Sequence, residues 1–176
     1  METSSWVTRG EGMKGPVRSA ELADLQNLVG QEIGASEWVL VTQDLIDRFA
    51  DLTGDHQPIH VDPAAAAGTK WGGTIAHGFF ALSLIGPFSY QVVPRIRGTQ
   101  STLNYGLNRV RFTMPVACGS RIRGRFLLLS MEQRRDVGVN VTFNVTVDIE
   151  GQDRPALVAE WIMTALFGEE QCSSPN

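Results

Sequence analysis

Cysteine is scarce in this chain. Cys118 and Cys172 are its two cysteines, far apart and matching no metal-ligand spacing. Two such residues build no disulfide framework, and a reduced, cytoplasmic setting is the default. Long hydrophobic runs are also missing. The most apolar segment, residues 75–93, is interrupted by His77, Gly86 and Pro87. It is short for a bilayer span, which takes roughly 20 apolar residues. It reads instead as a buried helix, and no membrane role is expected. The first twenty residues are polar and Gly-rich, with Arg9, Lys14 and Arg18, and have no apolar signal-peptide core. Positive charge is not in excess. Nineteen acidic residues against fifteen Lys and Arg leave a net charge of −4, so nucleic acid is not an expected partner. Neither an internal repeat nor a low-complexity segment is present. GxSxG and HExxH are absent, and Cys118 lies among turn residues beside Gly119, so nucleophilic and metalloprotease chemistry lack their usual signatures.

What is present is an ordinary globular composition: 43% apolar and 19% charged over 176 residues. That length suits one domain with a real core. The expected division is a flexible leader over 1–20, one domain over 21–168 and a flexible tail over 169–176. Helical spacing of Leu22, Leu25, Leu28 and Val29 predicts a helix over 19–29, ended by Gly30. Residues 38–41 suit a short strand. Thr42 can cap a helix over 43–52, with Leu45, Ile46, Phe49 and Leu52 on one face and Gly54 as its stop. Residues 54–74, rich in Gly and Pro, should be mostly irregular, with one turn near 64–67. A loop of that length inside a compact domain is uncommon unless it is functional.

The next segment, 76 to about 90, is apolar on nearly every face, which predicts a helix buried all round that Pro87 bends or ends. Beyond it the chain reads as strands. Val110 and Phe112 alternate with Arg109 and Arg111, and Ile122, Phe126 and Leu128 with Arg121, Arg123 and Arg125. From Val137 to Ile149 seven apolar residues alternate with six polar or small ones, giving a long strand with one buried face. Residues 156–167 form the last strand. One very buried helix and several antiparallel strands make an α+β domain. The economical packing wraps a curved sheet around the helix.

The candidate chemistry lies between the two halves. All three histidines fall within 54–80. Asp55 and His60 flank Pro58, so a turn can bring carboxylate and imidazole to one side of a loop. Together they can hold a water and move its proton, which is general acid–base catalysis. The structural alternative makes Asp55 a turn residue and His60 a core histidine. Gly78 opens the apolar helix, where N–H groups are unpaired. With no side chain there, a ligand carbonyl can come close and its developing charge be held. The alternative is a glycine chosen for tight helix–sheet packing. Metal binding is not expected: His56 and His60 are four apart, but Pro58 argues against the helix that would align them, and no cysteine ligand accompanies them.

The string Asp55-x-Gln57-Pro58-x-His60, followed by Ala76-His77-Gly78 at the head of the apolar helix, resembles the MaoC-like hydratase family, that of the (R)-specific enoyl-CoA hydratases. Residues 104–112 followed by Pro115-Val116 look like that family's second block, and Ala159-Glu160-Trp161 is similar to its NodN-like branch. The likeness spans roughly 21–168. It implies a single hotdog fold, with a curved antiparallel sheet wrapped around a long buried central helix. It implies that Asp55 and His60 activate water for addition to a trans-2-enoyl-CoA, giving the (R)-3-hydroxyacyl thioester, or for the reverse dehydration. The N–H of Gly78 would form the oxyanion hole. Gln57, Pro58, His77 and Tyr105 would support the site or contact substrate. No metal or redox cofactor is implied, since CoA enters as part of the acyl-CoA substrate. A homodimer is. Arg109, Arg111, Arg121, Arg123 and Arg125 are candidates, as a set, for the CoA phosphates, unless they are simply a solvated sheet face. The family motif has Asn where this chain has Gln57, so loop geometry or water placement can differ. Two other readings remain: a hotdog acyl-CoA thioesterase, and an accessory protein that binds acyl thioesters without turnover.

Overall fold

The computed structural model describes residues 19–134 and 138–168. Most of the expected leader, the expected tail, Cys172 and Val137 of the alternating strand lie outside the described residues. The elements in order are β1 (Ser19–Ala20), α1 (Leu22–Gln26), β2 (Glu32–Ala35), β3 (Val39–Leu40), α2 (Gln43–Thr53), α3 (Pro58–Val61), α4 (Pro63–Ala67), α5 (Gly78–Ser83), α6 (Ile85–Val92), β4 (Arg95–Ile96), β5 (Thr99–Phe112), β6 (Arg121–Arg134), β7 (Gly138–Ile149) and β8 (Leu157–Phe167). An antiparallel sheet runs β2-β6-β7-β8-β5, with β3 also on β6. Register shifts interrupt β5 at three places and β6 at one. Such bulges bend and twist strands, so the sheet curves over the helices. β1 and β4 form a small parallel pair.

The alternation in β7 does what it predicts. Val139, Val141, Phe143, Val145, Val147 and Ile149 are buried, while Asn144 between them is exposed. Against that face stands an aromatic cluster. Phe143 stacks on Trp161 at 5.9 Å, and Phe126 meets Phe143 edge-on at 6.1 Å. Phe88 of α6 is fully buried over β6, where a Cβ on Gly124 would lie 2.9 Å from its ring. Gly124 therefore allows the helix to sit this low on the sheet.

Several local expectations change. The helix expected over 19–29 shortens to α1, because Ser19 and Ala20 are drawn into pairing with Arg95 and Ile96. The helix expected from 76 begins at Gly78 and breaks at Leu84. Pro87 gives the reason. It has no N–H to offer the carbonyl four residues back, and the break places it in the first turn of α6, where none is needed. Nor is this helix buried all round: Phe79 and Tyr90 are each 67% exposed in the single chain. In α2, Ile46 and Ala50 face the core and Leu52 is 84% exposed, so Leu52 leaves the face assigned to it. The irregular stretch contains α3 and α4. Asp62 caps α4 through its carboxylate, 3.0 Å from the N–H groups of Ala64 and Ala65, with Pro63 leading. The short strand β2 was not expected, and β5 extends well before Arg109.

Candidate active site

Asp55 owes its place to the end of α2. Thr42 caps the start of that helix, its hydroxyl accepting from the Leu45 N–H at 3.3 Å. Gly54, at φ +78°, closes it, donating to the Ala50 carbonyl at 2.7 Å. A left-handed residue is what turns the chain out of the helix here, and glycine takes it without strain. Asp55 follows at once. Gln57 and Pro58 then start α3: the Gln57 carbonyl accepts from the His60 N–H at 2.8 Å, and Pro58 takes the first helical position. That single turn delivers His60 inward, 6% exposed.

His60 is oriented by the strand-like segment before α5. Its Nδ1 lies 2.7 Å from the carbonyl oxygen of Ile75. A carbonyl only accepts, so Nδ1 carries the proton and Nε2 of the uncharged ring presents a lone pair. The Ile75 segment is itself fixed, since the N–H of Ala76 bonds the Val116 carbonyl at 2.8 Å and Ile75 bridges to Ala117.

His77 lies closer to this centre than its expected supporting role requires. Its ring stacks on that of His60 with centroids 3.8 Å apart and 28° between planes, and the Phe49 ring lies 5.1 Å from it, tilted by 50°. Its Nε2 is 2.8 Å from the main-chain oxygen of Asp55. Its Nδ1 is buried with no hydrogen-bond partner among the described residues. Asp55, His60 and His77 each offer an atom within 4.8 Å of the other two. One nitrogen on each histidine is already held by a carbonyl, so each ring has one further nitrogen to offer a water or another ligand.

One residue the sequence did not single out ties these pieces together. The Gln43 amide nitrogen donates to the His60 carbonyl at 2.7 Å and to Asp47 at 2.8 Å, and its oxygen accepts from the Thr74 hydroxyl at 2.6 Å. A glutamine in a helix's first turn carries no local signature, and two of its partners lie 17 and 31 residues away.

Gly78 opens α5 at the edge of a cleft of about 270 Å³, lined by His60, His77, Ala81, Phe112, Met114 and Val116. The walls are mainly apolar, with His60, His77 and Thr113 as the polar side chains among them. A Cβ at Gly78 would lie 3.0 Å from the Phe112 ring. Close packing against Phe112 thus already asks for glycine, and the same absence of a side chain leaves its N–H open to a ligand oxygen.

The remaining named residues sit elsewhere. His56 points away, its Nε2 2.9 Å from Asp51. That carboxylate, by accepting the hydrogen bond, raises the His56 pKa above its ordinary value. Gln57 is exposed, and its side chain does not cap α3. Tyr105 lies on β5 beneath the Arg134 guanidinium, 4.7 Å away, and lines a separate groove with Leu82, Gly86 and Leu107. Another cavity, about 390 Å³, lies along α6 near Ser89, Val93 and Arg95. Arg121 pairs with Glu150, Arg123 with Asp148, and Arg125 with both Asp148 and Glu32, so these three are engaged across the sheet.

Comparison with known proteins adds four findings. A family model described as "MaoC like domain" matches residues 24–149. Nodulation protein N of Rhizobium leguminosarum bv. viciae is 51% identical over 147 residues, covering 83% of this chain and 91% of that protein. The 3-hydroxyacyl-thioester dehydratase Z of Mycobacterium tuberculosis is 45% identical over 142 residues, covering 81% and 93%. Among solved structures, the (R)-hydratase PhaJ1 of Pseudomonas aeruginosa in its unliganded form superposes with a TM-score of 0.65 at 25% identity. That match covers 80% of this chain and 83% of the other.

Proposed function

This chain belongs to the MaoC-like dehydratase family and has its hotdog fold, and from that premise we propose that it is a hydro-lyase acting on 2-enoyl thioesters. The substrate is a trans-2-enoyl-CoA, and hydration gives the (R)-3-hydroxyacyl-CoA; the reverse reaction is the dehydration. The observation that carries the reading is the Asp55 carboxylate within 4.8 Å of the His60 imidazole, beside a cleft that both His60 and Gly78 line.

The chemistry follows from that geometry. Water sits between the Asp55 carboxylate and the lone pair on His60 Nε2. Its oxygen bonds to C3 of the enoyl group while a proton passes to the pair, and a proton from the pair goes to C2. The C2–C3 double bond becomes single, so H and OH have been added and nothing is oxidised or reduced. As C3 is attacked, charge builds on the thioester oxygen, and the Gly78 N–H donates to it there. No redox or metal cofactor enters this scheme; CoA is part of the substrate. A cytoplasmic setting fits it, and among the described residues Cys118 has no disulfide partner. Among the described residues no helix is long and apolar enough to cross a membrane.

The working form in this proposal is a homodimer. β5 is a sheet-edge strand of 14 residues. It exposes Leu103, Tyr105, Leu107 and Phe112, and Phe79 and Tyr90 add to the uncovered apolar surface. Long apolar edges are templates for another strand. A second copy pairing there gives both chains a covered edge.

Crotonyl-CoA and longer trans-2-enoyl-CoAs test the reading, with the enoyl thioester absorbance and free thiol followed together. Loss of absorbance without thiol release is expected. Thiol release from saturated acyl-CoA would point to a thioesterase instead. Tight binding with no turnover at any chain length would point to an accessory protein.

A further inference from the structure

The proposed reaction assigns proton transfer to Asp55 and His60 and leaves His77 unused, although it is 3% exposed and touches both. Two of its contacts are unlike ordinary helix-start packing. At the N-cap of α5 its side chain caps nothing in the helix. Instead it reaches across 22 residues of chain to the main-chain oxygen of Asp55, at 2.8 Å. That oxygen can only accept, so Nε2 donates and is the protonated nitrogen of the uncharged ring. His60 has the complementary arrangement, with Nδ1 donating to Ile75.

We propose that His77 is a positioning residue: its Nε2–H holds the Asp55 carbonyl while its ring face sets the plane of His60, so the carboxylate and the imidazole share one water. The inference rests on the reaction proposed above. Asp55 lies in the short stretch between Gly54 and α3, and its side chain is only partly buried. Its N–H makes only a long contact, 3.5 Å, to Thr53. The hydrogen bond from His77 is the firm tie on that residue's main chain from the side of the cleft. His60 reaches its place from a different element, α3, and His77 is the group that touches both. A misplacement near 1 Å at a reacting group costs on the order of a hundredfold in rate, so such a tie matters.

The bond and the ring are separable by substitution. His77→Gln keeps an amide donor near the Nε2 position, and His77→Phe keeps an aromatic face without the donor. With an enoyl-CoA substrate, His77→Phe should lower kcat by about tenfold to a hundredfold while KM stays within about threefold. His77→Gln should restore most of kcat. Nitrogen-15 spectra of the histidine rings supply a readout that needs no turnover. In the unaltered protein His77 should be the Nε2–H tautomer and His60 the Nδ1–H tautomer, and in His77→Phe the single His60 tautomer should be lost. The proposal is overturned if His77 carries its proton on Nδ1, if His77→Phe keeps full kcat, or if a folded His77→Gln is as impaired as His77→Phe. Should His77→Phe not fold, the His77→Gln kinetics and the tautomers of the unaltered protein still decide it. Should the unaltered protein hydrate no enoyl thioester, the reaction reading fails by itself, and the spectra still test the tie.

Discussion

At the scale of single residues, the site is made by main-chain carbonyls as much as by side chains. Ile75, Asp55 and Gln57 lend their oxygens to His60, to His77 and to the His60 N–H respectively. Such partners leave no mark in the sequence, because every residue has a carbonyl. What was legible was the nearness of Asp55 and His60, which sit in a short motif with Pro58 between them and offer atoms within 4.8 Å of each other. Gln43 was not legible, and it offers a sharp test. Gln43→Leu strips the donor from the His60 carbonyl and the acceptor from the Thr74 hydroxyl, both in partly buried surroundings. Groups left unsatisfied in this way cost about 1–3 kcal/mol. At this chain length that is a fall of roughly 2–12 °C in the thermal midpoint. Thermal melts should show it, together with a loss of enoyl-CoA turnover larger than the stability change explains. A protein that melts normally and turns over normally would remove Gln43 from the site.

At the scale of elements, patterns that depend on near neighbours were readable and those that depend on distant partners were not. The alternation ending at Ile149 became β7 from Gly138 onward, and the Thr42-to-Gly54 signals bounded α2 closely. β5 was read only near Arg109–Phe112, because its upstream part carries no buried alternation. Both its faces are largely exposed in one chain, so period two has nothing to encode. The break at Leu84 depends on Pro87, and the sequence allowed either a bend or an end there. Close approach between β7 and β8 sets another requirement. Gly138 sits at φ +145°, where a Cβ would lie 1.9 Å from the Ala165 carbonyl oxygen. Gly138→Ala should therefore destabilise the protein by about 2–4 kcal/mol, through overpacking and backbone strain together. Chemical denaturation should record a lower midpoint with the slope unchanged. An unshifted midpoint would mean that the strands do not approach this closely.

At the scale of the whole molecule, one side of the chain looks unfinished. Leu103, Tyr105 and Leu107 of β5, with Tyr90, line the grooves along α5 and α6, and exposed Phe79 lies 5.7 Å from Phe112 at the end of β5. Leu107→Glu places a charge on that edge. In the homodimer proposed above, it should shift the protein from dimer to monomer in sedimentation analysis, and a dimer that persists at the same concentration would argue that the copies meet elsewhere. The resemblance in sequence was enough to expect the sheet-over-helix arrangement, whereas the uncovered edge is visible only once the strands are in place. The central claim is that Asp55 and His60 add water across an enoyl thioester, and the chirality of the product tests it most directly. Crotonyl-CoA incubated with the unaltered protein should give (R)-3-hydroxybutyryl-CoA. The Asp55→Asn and His60→Gln proteins, with unchanged melting, should form it about 10²–10⁴-fold more slowly. A racemic or (S) product, or full activity in either variant, would contradict it.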